Sequence, residues 1–178
     1  MTDGHTLGAD AGTWREADGG WELRFERRLR HSPERVWAAL TTPEGLRGWL
    51  AAAEIEPRAG GAMILTFEQP ETEDFPCRDD VRRQANEILT WRPPELFEHS
   101  FGHPDSVVSW RLRPDGGGTH LTLTHRVPAE WERDLSRTLS GWHHHMEGLD
   151  DAIRGRRHGW DWPRWRGLRA AYAAEVRQ

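Results

Sequence analysis

Residues 107–126, VVSWRLRPDGGGTHLTLTHR, alternate apolar and polar side chains on either side of a glycine run, and an amphipathic stretch follows over about residues 133–156. Alternation with period two marks a half-buried strand, and Asp115-Gly116-Gly117-Gly118 supplies the positive-φ residues of a hairpin. Leu135, Leu139, Trp142, Met146, Leu149 and Ile153 recur at intervals of three and four, which gives one apolar helical stripe. A sheet followed by such a helix buries both apolar surfaces by laying the stripe across its concave face. The class expected is α+β: a curved antiparallel sheet wrapped on a long C-terminal helix, with a cavity between the two.

Upstream, residues 1–19 are rich in Gly, Ala, Asp and Thr and predict a mobile tail. Trp21, Leu23, Phe25 and Leu29 then share one face of a strand. Ser32 caps a helix with Pro33 at its first position, and Thr42-Pro43-Glu44 opens a second, short helix by the same logic. Ile55 falls in a strand, Gly60-Gly61 turn the chain, and Met63, Leu65 and Phe67 alternate on the next strand. Residues 68–80, acidic and broken by proline, predict a solvated loop near the cavity mouth. Strands resume over residues 86–91 and 96–101, interrupted by Pro93-Pro94, which cannot donate to a ladder. The main domain is expected over residues 20–157, and residues 158–178 as an amphipathic helix packed on it or on a second subunit.

Composition narrows the chemistry. All 24 basic residues are arginine, so lysine Schiff bases and lysine-dependent phosphate loops are excluded, and codon usage in a G+C-rich genome accounts for the bias. The net charge of -5 argues against a general nucleic-acid binder. A single cysteine, Cys77, leaves no intramolecular disulfide and no cysteine-cluster metal site. The chain shows no apolar run of membrane-spanning length and no basic-apolar leader, so a cytoplasmic protein is expected.

Several fragments taken together resemble one family. Pro33-Glu34-Arg35-Val36-Trp37, Thr42-Pro43-Glu44-Gly45-Leu46 with Trp49, Gly60-Gly61, Asn86-Glu87-Ile88-Leu89 and Pro93-Pro94-Glu95-Leu96 are similar to the SRPBCC (START-like, helix-grip) superfamily. Gly118-Thr119-His120-Leu121-Thr122-Leu123-Thr124-His125 and Gly141-Trp142 complete the set, over about residues 20–155. The branch they resemble is that of activators of heat-shock protein 90 ATPase. The resemblance implies a helix-grip fold with two short helices, about six strands and a C-terminal helix around a cavity. It also implies roles ranging from lipid carriers and cyclases to stress proteins, without a shared catalytic signature. The chain departs from the family's pattern at Asn86, where glycine is common, and in its longer acidic insertion.

Eleven tryptophans set the candidate site. The expected cavity lining is Trp49, Met63, Leu65, Phe67, Trp91, Trp110, Leu112, Leu123, His125, Trp142, His145 and Met146. His125 alternates in phase with Leu121 and Leu123, so it is the expected polar group inside: either a core histidine bonded to a backbone carbonyl, the favoured reading, or one that titrates near neutrality and orients a ligand or shuttles a proton. His143 and Glu147 stand four apart on a helix, a metal-binding spacing, but no second cluster completes a coordination sphere, and neither metal nor cofactor is expected. Trp160, Trp162 and Trp165 interleave with Arg164, Arg166 and Arg169, which suits helix packing better than a nucleic-acid patch. Three functions stay open: binding of a small apolar or aromatic molecule, a chaperone- or stress-associated interaction module that includes a homodimer, and a cyclase or hydrolase using His125.

Overall fold

The computed structural model describes residues 7–73 and 75–177. Eight strands form one antiparallel sheet in the order β1-β2-β8-β7-β6-β5-β4-β3. They are β1 (Thr13–Ala17), β2 (Gly20–Leu29), β3 (Ala52–Ile55), β4 (Ala62–Thr66), β5 (Arg83–Arg92), β6 (Leu96–Ser100), β7 (Val107–Asp115) and β8 (Gly118–Pro128). The helices are α1 (Pro33–Thr41), α2 (Pro43–Arg47), α3 (Asp79–Arg82), α4 (Leu135–Glu147), α5 (Leu149–Ile153) and α6 (Trp162–Val176). A 3-10 turn over Ala129–Asp134 leads into α4.

Three sequence expectations change. The sheet has eight strands where about six were expected, and residues 13–17, read as tail, form β1 against β2. That edge strand carries one large apolar residue, Trp14, so its alternation is too faint to read. Leu7, also placed in the tail, is buried in the core, while residues 1–6 of that expected tail lie outside the described residues. The single long helix expected to residue 156 is broken at Gly148 into α4 and α5. A Cβ at Gly148 would sit 2.5 Å from the His158 side chain, so the break lets the following segment fold back.

The registers explain what faces inward. Val108, Trp110 and Leu112 stand opposite His125, Leu123 and Leu121, and Leu23 and Phe25 stand opposite His125 and Leu123. On the other wing Met63 and Leu65 pair with Asn86 and Gln84. Between Ile88 and Thr90 the register shifts, as at a β-bulge. The extra residue reverses the phase of β5 and brings Trp91 opposite Phe97, against Trp37 of α1. Asn86 is buried and its Oδ1 accepts the Gly102 N–H (2.9 Å), tying β5 to the β6–β7 loop.

α1 and α2 share Thr42, whose hydroxyl accepts the Gly45 N–H at 3.1 Å. Gly45 lies so close to α1 that an added Cβ would fall 2.4 Å from the Ala38 carbonyl oxygen and 2.6 Å from the Ala39 Cα. Both are backbone atoms, so the helices have to part. Gly45→Ala is expected to destabilise the protein by about 2 kcal/mol in urea unfolding, against the usual gain of alanine in a helix.

Candidate ligand cavity

α4 grips the sheet through Trp142, whose ring packs at 5.5 Å from Trp110 and 5.1 Å from Phe101. Trp49 meets Trp110 edge-on at 5.7 Å, so the centre of the space between helix and sheet is filled with aromatic rings. The open volume, about 360 Å3, lies at one end, between the acidic loop, the start of β5, α4 and the chain from Trp160 into the start of α6. Edge-to-face pairing of large rings favours this close packing.

Four of the twelve expected lining residues, Phe67, His125, Trp142 and His145, border that cavity. Met63, Leu65, Trp110, Leu112, Leu123 and Met146 do not; they are buried core. Trp91 is a half-buried ring stacked edge-on against Trp37, and Trp49 borders a second, smaller cavity of about 260 Å3. The expectation of a cavity between the sheet and the long helix, lined by these residues, is thereby corrected: bulky side chains fill the middle of that space and the opening lies at one end. The sequence reading missed Gln69, Phe75, Gln84, Phe101, Trp131, Trp160, Trp162 and Trp165, all of which line the wall.

The acidic loop supplies part of this wall. The Arg82 guanidinium lies 4.7 Å from the Phe75 ring and donates to the carbonyls of Gln69 (2.9 Å) and Pro76 (3.2 Å). Trp162 Nε1 donates to the Pro70 carbonyl at 3.0 Å. Arg47 and Arg157 converge on Glu68, both at 2.9 Å. The loop expected to be solvated is thus fastened at its two ends, with α3 at its close and Phe75 turned to the cavity.

The histidines are held by complementary partners. Trp142 Nε1 can only donate, so His125 Nδ1 (2.9 Å) accepts and its Nε2–H points to Ser106 Oγ at 2.7 Å. Burial pushes this ring down to about 3, with neighbouring His99 adding to the effect. The expectation that His125 titrates near neutrality is corrected, because both nitrogens are taken and the cation is desolvated. His99 repeats the device: Trp110 Nε1 donates to its Nε2 (3.2 Å) and its Nδ1 faces the Ser100 carbonyl (2.8 Å).

The His143-His144-His145 run is divided among three tasks. His143 Nδ1 meets the Tyr172 hydroxyl of α6 at 2.8 Å, and that hydroxyl also accepts the Gly12 N–H. His144 bridges Glu147 (2.8 Å) and the Asp161 N–H (3.0 Å), at the start of α6. Burial would raise the Glu147 carboxyl, but hydrogen bonds from His144 and Arg164 outweigh it and hold the group at about 2. His145 Nδ1 faces the Trp49 carbonyl at 3.0 Å, and its Nε2 lies 3.3 Å from the Gln69 amide nitrogen. His143 and Glu147 approach within 3.7 Å, yet each is bonded elsewhere, which turns the metal-like spacing to helix packing. α6 itself lies against α4 through buried Trp165, Leu168 and Tyr172.

Comparison with known proteins follows the same outline. The family model for "Activator of Hsp90 ATPase homolog 1-like protein" matches residues 30–154. Among solved structures, the chain is similar to CalU16 from Micromonospora echinospora at 23% identity, over 94% of this chain and 98% of that one, with a TM-score of 0.67. It is similar to BPP1335 from Bordetella parapertussis at 24% identity, over 97% and 94%, with a TM-score of 0.69. It is also similar to EF2215 from Enterococcus faecalis at 15% identity, over 96% and 95%, with a TM-score of 0.71. At these identities the likeness is one of fold. No curated protein matches the chain.

Proposed function

The chain belongs to the activator of Hsp90 ATPase homolog 1-like family, within the SRPBCC superfamily, and from that premise we propose that it binds a small aromatic molecule in the 360 Å3 cavity. The observation that carries this reading is the wall itself. Five tryptophans and three phenylalanines face one space, and no carboxylate or guanidinium other than Asp134 and Arg137, both exposed, joins them. A volume of this size lies in the range of small-molecule sites. Burial of apolar ligand surface drives the affinity, at about 25 cal/mol per Å2 before ordering costs. His125 and His145, held neutral by burial, contribute shape and polarity to the wall.

Gly141 offers a clean test. It lines the cavity from α4, and a Cβ there meets no atom within 4 Å. Gly141→Ala is expected to stabilise the protein by about 0.5–1 kcal/mol, the helix-propensity gain, and Gly141→Phe to fill the cavity while keeping the fold. Titration of the native protein with an apolar arene should shift tryptophan emission, and Gly141→Phe should abolish the shift. Equal binding by a folded Gly141→Phe variant would sink the proposal. A partner that docks on the outer surface instead, such as a chaperone, would be retained by that variant.

A further inference from the structure

Resting on the cavity reading above, we infer that the aromatic ligand carries a flexible tail ending in an oxyanion, which lies in the second cavity against Arg47 and Arg157 while the rings occupy the first. The two cavities abut: Leu50, Gln69, His145 and Trp160 line both. Beyond that shared wall the lining changes character. The first cavity is walled by aromatic rings, whereas the second, of about 260 Å3, holds the guanidiniums of Arg47 and Arg157 and the carboxylate of Glu68. An elongated molecule that spans both meets rings at one end and charge at the other.

The charge at that end is positive. Glu68 is shared: it accepts from Arg47 Nε (3.1 Å) and Nη2 (2.9 Å) and from Arg157 Nη2 (2.9 Å). Two guanidiniums against one carboxylate leave a net positive charge, and most of their N–H donors have no partner among the described residues. Both side chains are within reach of a ligand, at 57% and 61% exposed. The partition between the compartments is slight. The Gln69 amide nitrogen lies 3.3 Å from His145 Nε2, a long hydrogen bond, and its Oε1 makes none. The Gln69 carbonyl accepts from Arg82 at 2.9 Å, so the backbone is held and the side chain alone has to swing aside. A cationic tail would meet two guanidiniums. A carboxylate fixed directly on the ring would stay among the aromatic side chains, where no buried cation offsets its desolvation.

Equilibrium dialysis of the full chain against 4-(2-naphthyl)butyrate, its neutral amide 4-(2-naphthyl)butyramide and the tailless 2-naphthoate tests this. At low ionic strength the butyrate should bind about fivefold or more tightly than the amide, and 2-naphthoate most weakly. The butyrate-to-amide ratio should fall toward one as salt is added, because the guanidiniums are exposed. Arg47→Gln combined with Arg157→Gln should bring the ratio to about one while the amide keeps its affinity. Glu68→Gln removes the competing carboxylate and should raise the ratio by about threefold. Should the double arginine variant lose the amide as well, the salt series and Glu68→Gln carry the test. Equal affinity for butyrate and amide, or 2-naphthoate binding best, overturns the tail and leaves the cavity intact. A ratio that survives the double variant, or that vanishes in Arg137→Gln alone, puts the oxyanion at the mouth beside α4 and overturns the assignment to the second cavity. Failure of all three molecules to bind removes the cavity reading and this inference with it.

Discussion

Acidification from pH 7.5 to 5.5 should remove up to about 5 kcal/mol of this protein's stability. Four rings are held neutral in the folded state: His125 at about 3, and His99, His143 and His145 at about 4. Burial is the first cause in each. In the unfolded chain these rings titrate near 6.5, so between about pH 6.5 and 4 the unfolded state binds more protons. Stability is therefore complete above the unfolded value and declines as the pH falls toward the folded values. Four protons set an upper bound of about 5 kcal/mol per pH unit near pH 5.5, against a total of roughly 5–15 kcal/mol for a domain of this kind. Glu147, held at about 2, adds a loss in the same direction only below the ordinary carboxylate range. Urea midpoints at pH 7.5, 6.5 and 5.5 measure the slope, and a slope of one proton or less would show that the rings are charged when folded. Nitrogen NMR of the imidazoles gives a second readout: His125 should carry its proton on Nε2, His99 and His145 on Nδ1.

The sequence made the fold legible wherever one face is apolar and the other wet. β7 and β8, expected over 106–113 and 119–127, were readable to within one or two residues because each alternates over a full strand length, and their observed pairing puts His125 opposite Val108 on the inner face. Ser32 and Thr42 announced α1 and α2 through capping chemistry that is local by nature. Less could be read where a residue's neighbour is distant in sequence. Arg27 occupies an inward position of β2, opposite Leu121, and its charge gave no sign of burial. Phase alone could not reveal that β5 slips by one residue at its bulge and sends Trp91 toward α1.

The cavity was the least legible part for the same reason. An inward register places Trp110 and Leu123 correctly but cannot say whether they border a space or fill it, since that depends on the rings of Trp49 and Trp142 arriving from the turn after α2 and from α4. The true wall draws on Gln69, Phe75 and Trp160, which lie in irregular chain without periodicity. The density of tryptophan in residues 160–165 was the available signal. Three large rings in six residues exceed what the exposed side of a terminal helix carries, and they turn inward to close the cavity.

Trp142→Ala is expected to cost about 5 kcal/mol. Deleting a buried indole removes its apolar burial and leaves a cavity, at about 3–5 kcal/mol. It also leaves His125 Nδ1 buried with no donor, about 1–3 kcal/mol more if nothing relaxes. Relaxation into the neighbouring open space offsets part of this, because Trp142 borders the cavity. Trp142→Phe separates the two effects, keeping a ring against Trp110 and Phe101 while deleting the N–H. It should cost about 1–3 kcal/mol and raise the affinity of His125 for a proton on Nδ1 only slightly, since desolvation rather than the indole bond holds that ring neutral. Chemical denaturation of the two variants gives both numbers. A Trp142→Phe loss as large as that of Trp142→Ala would place the grip in the tryptophan–histidine hydrogen bond, whereas a loss near zero would place it in ring packing alone.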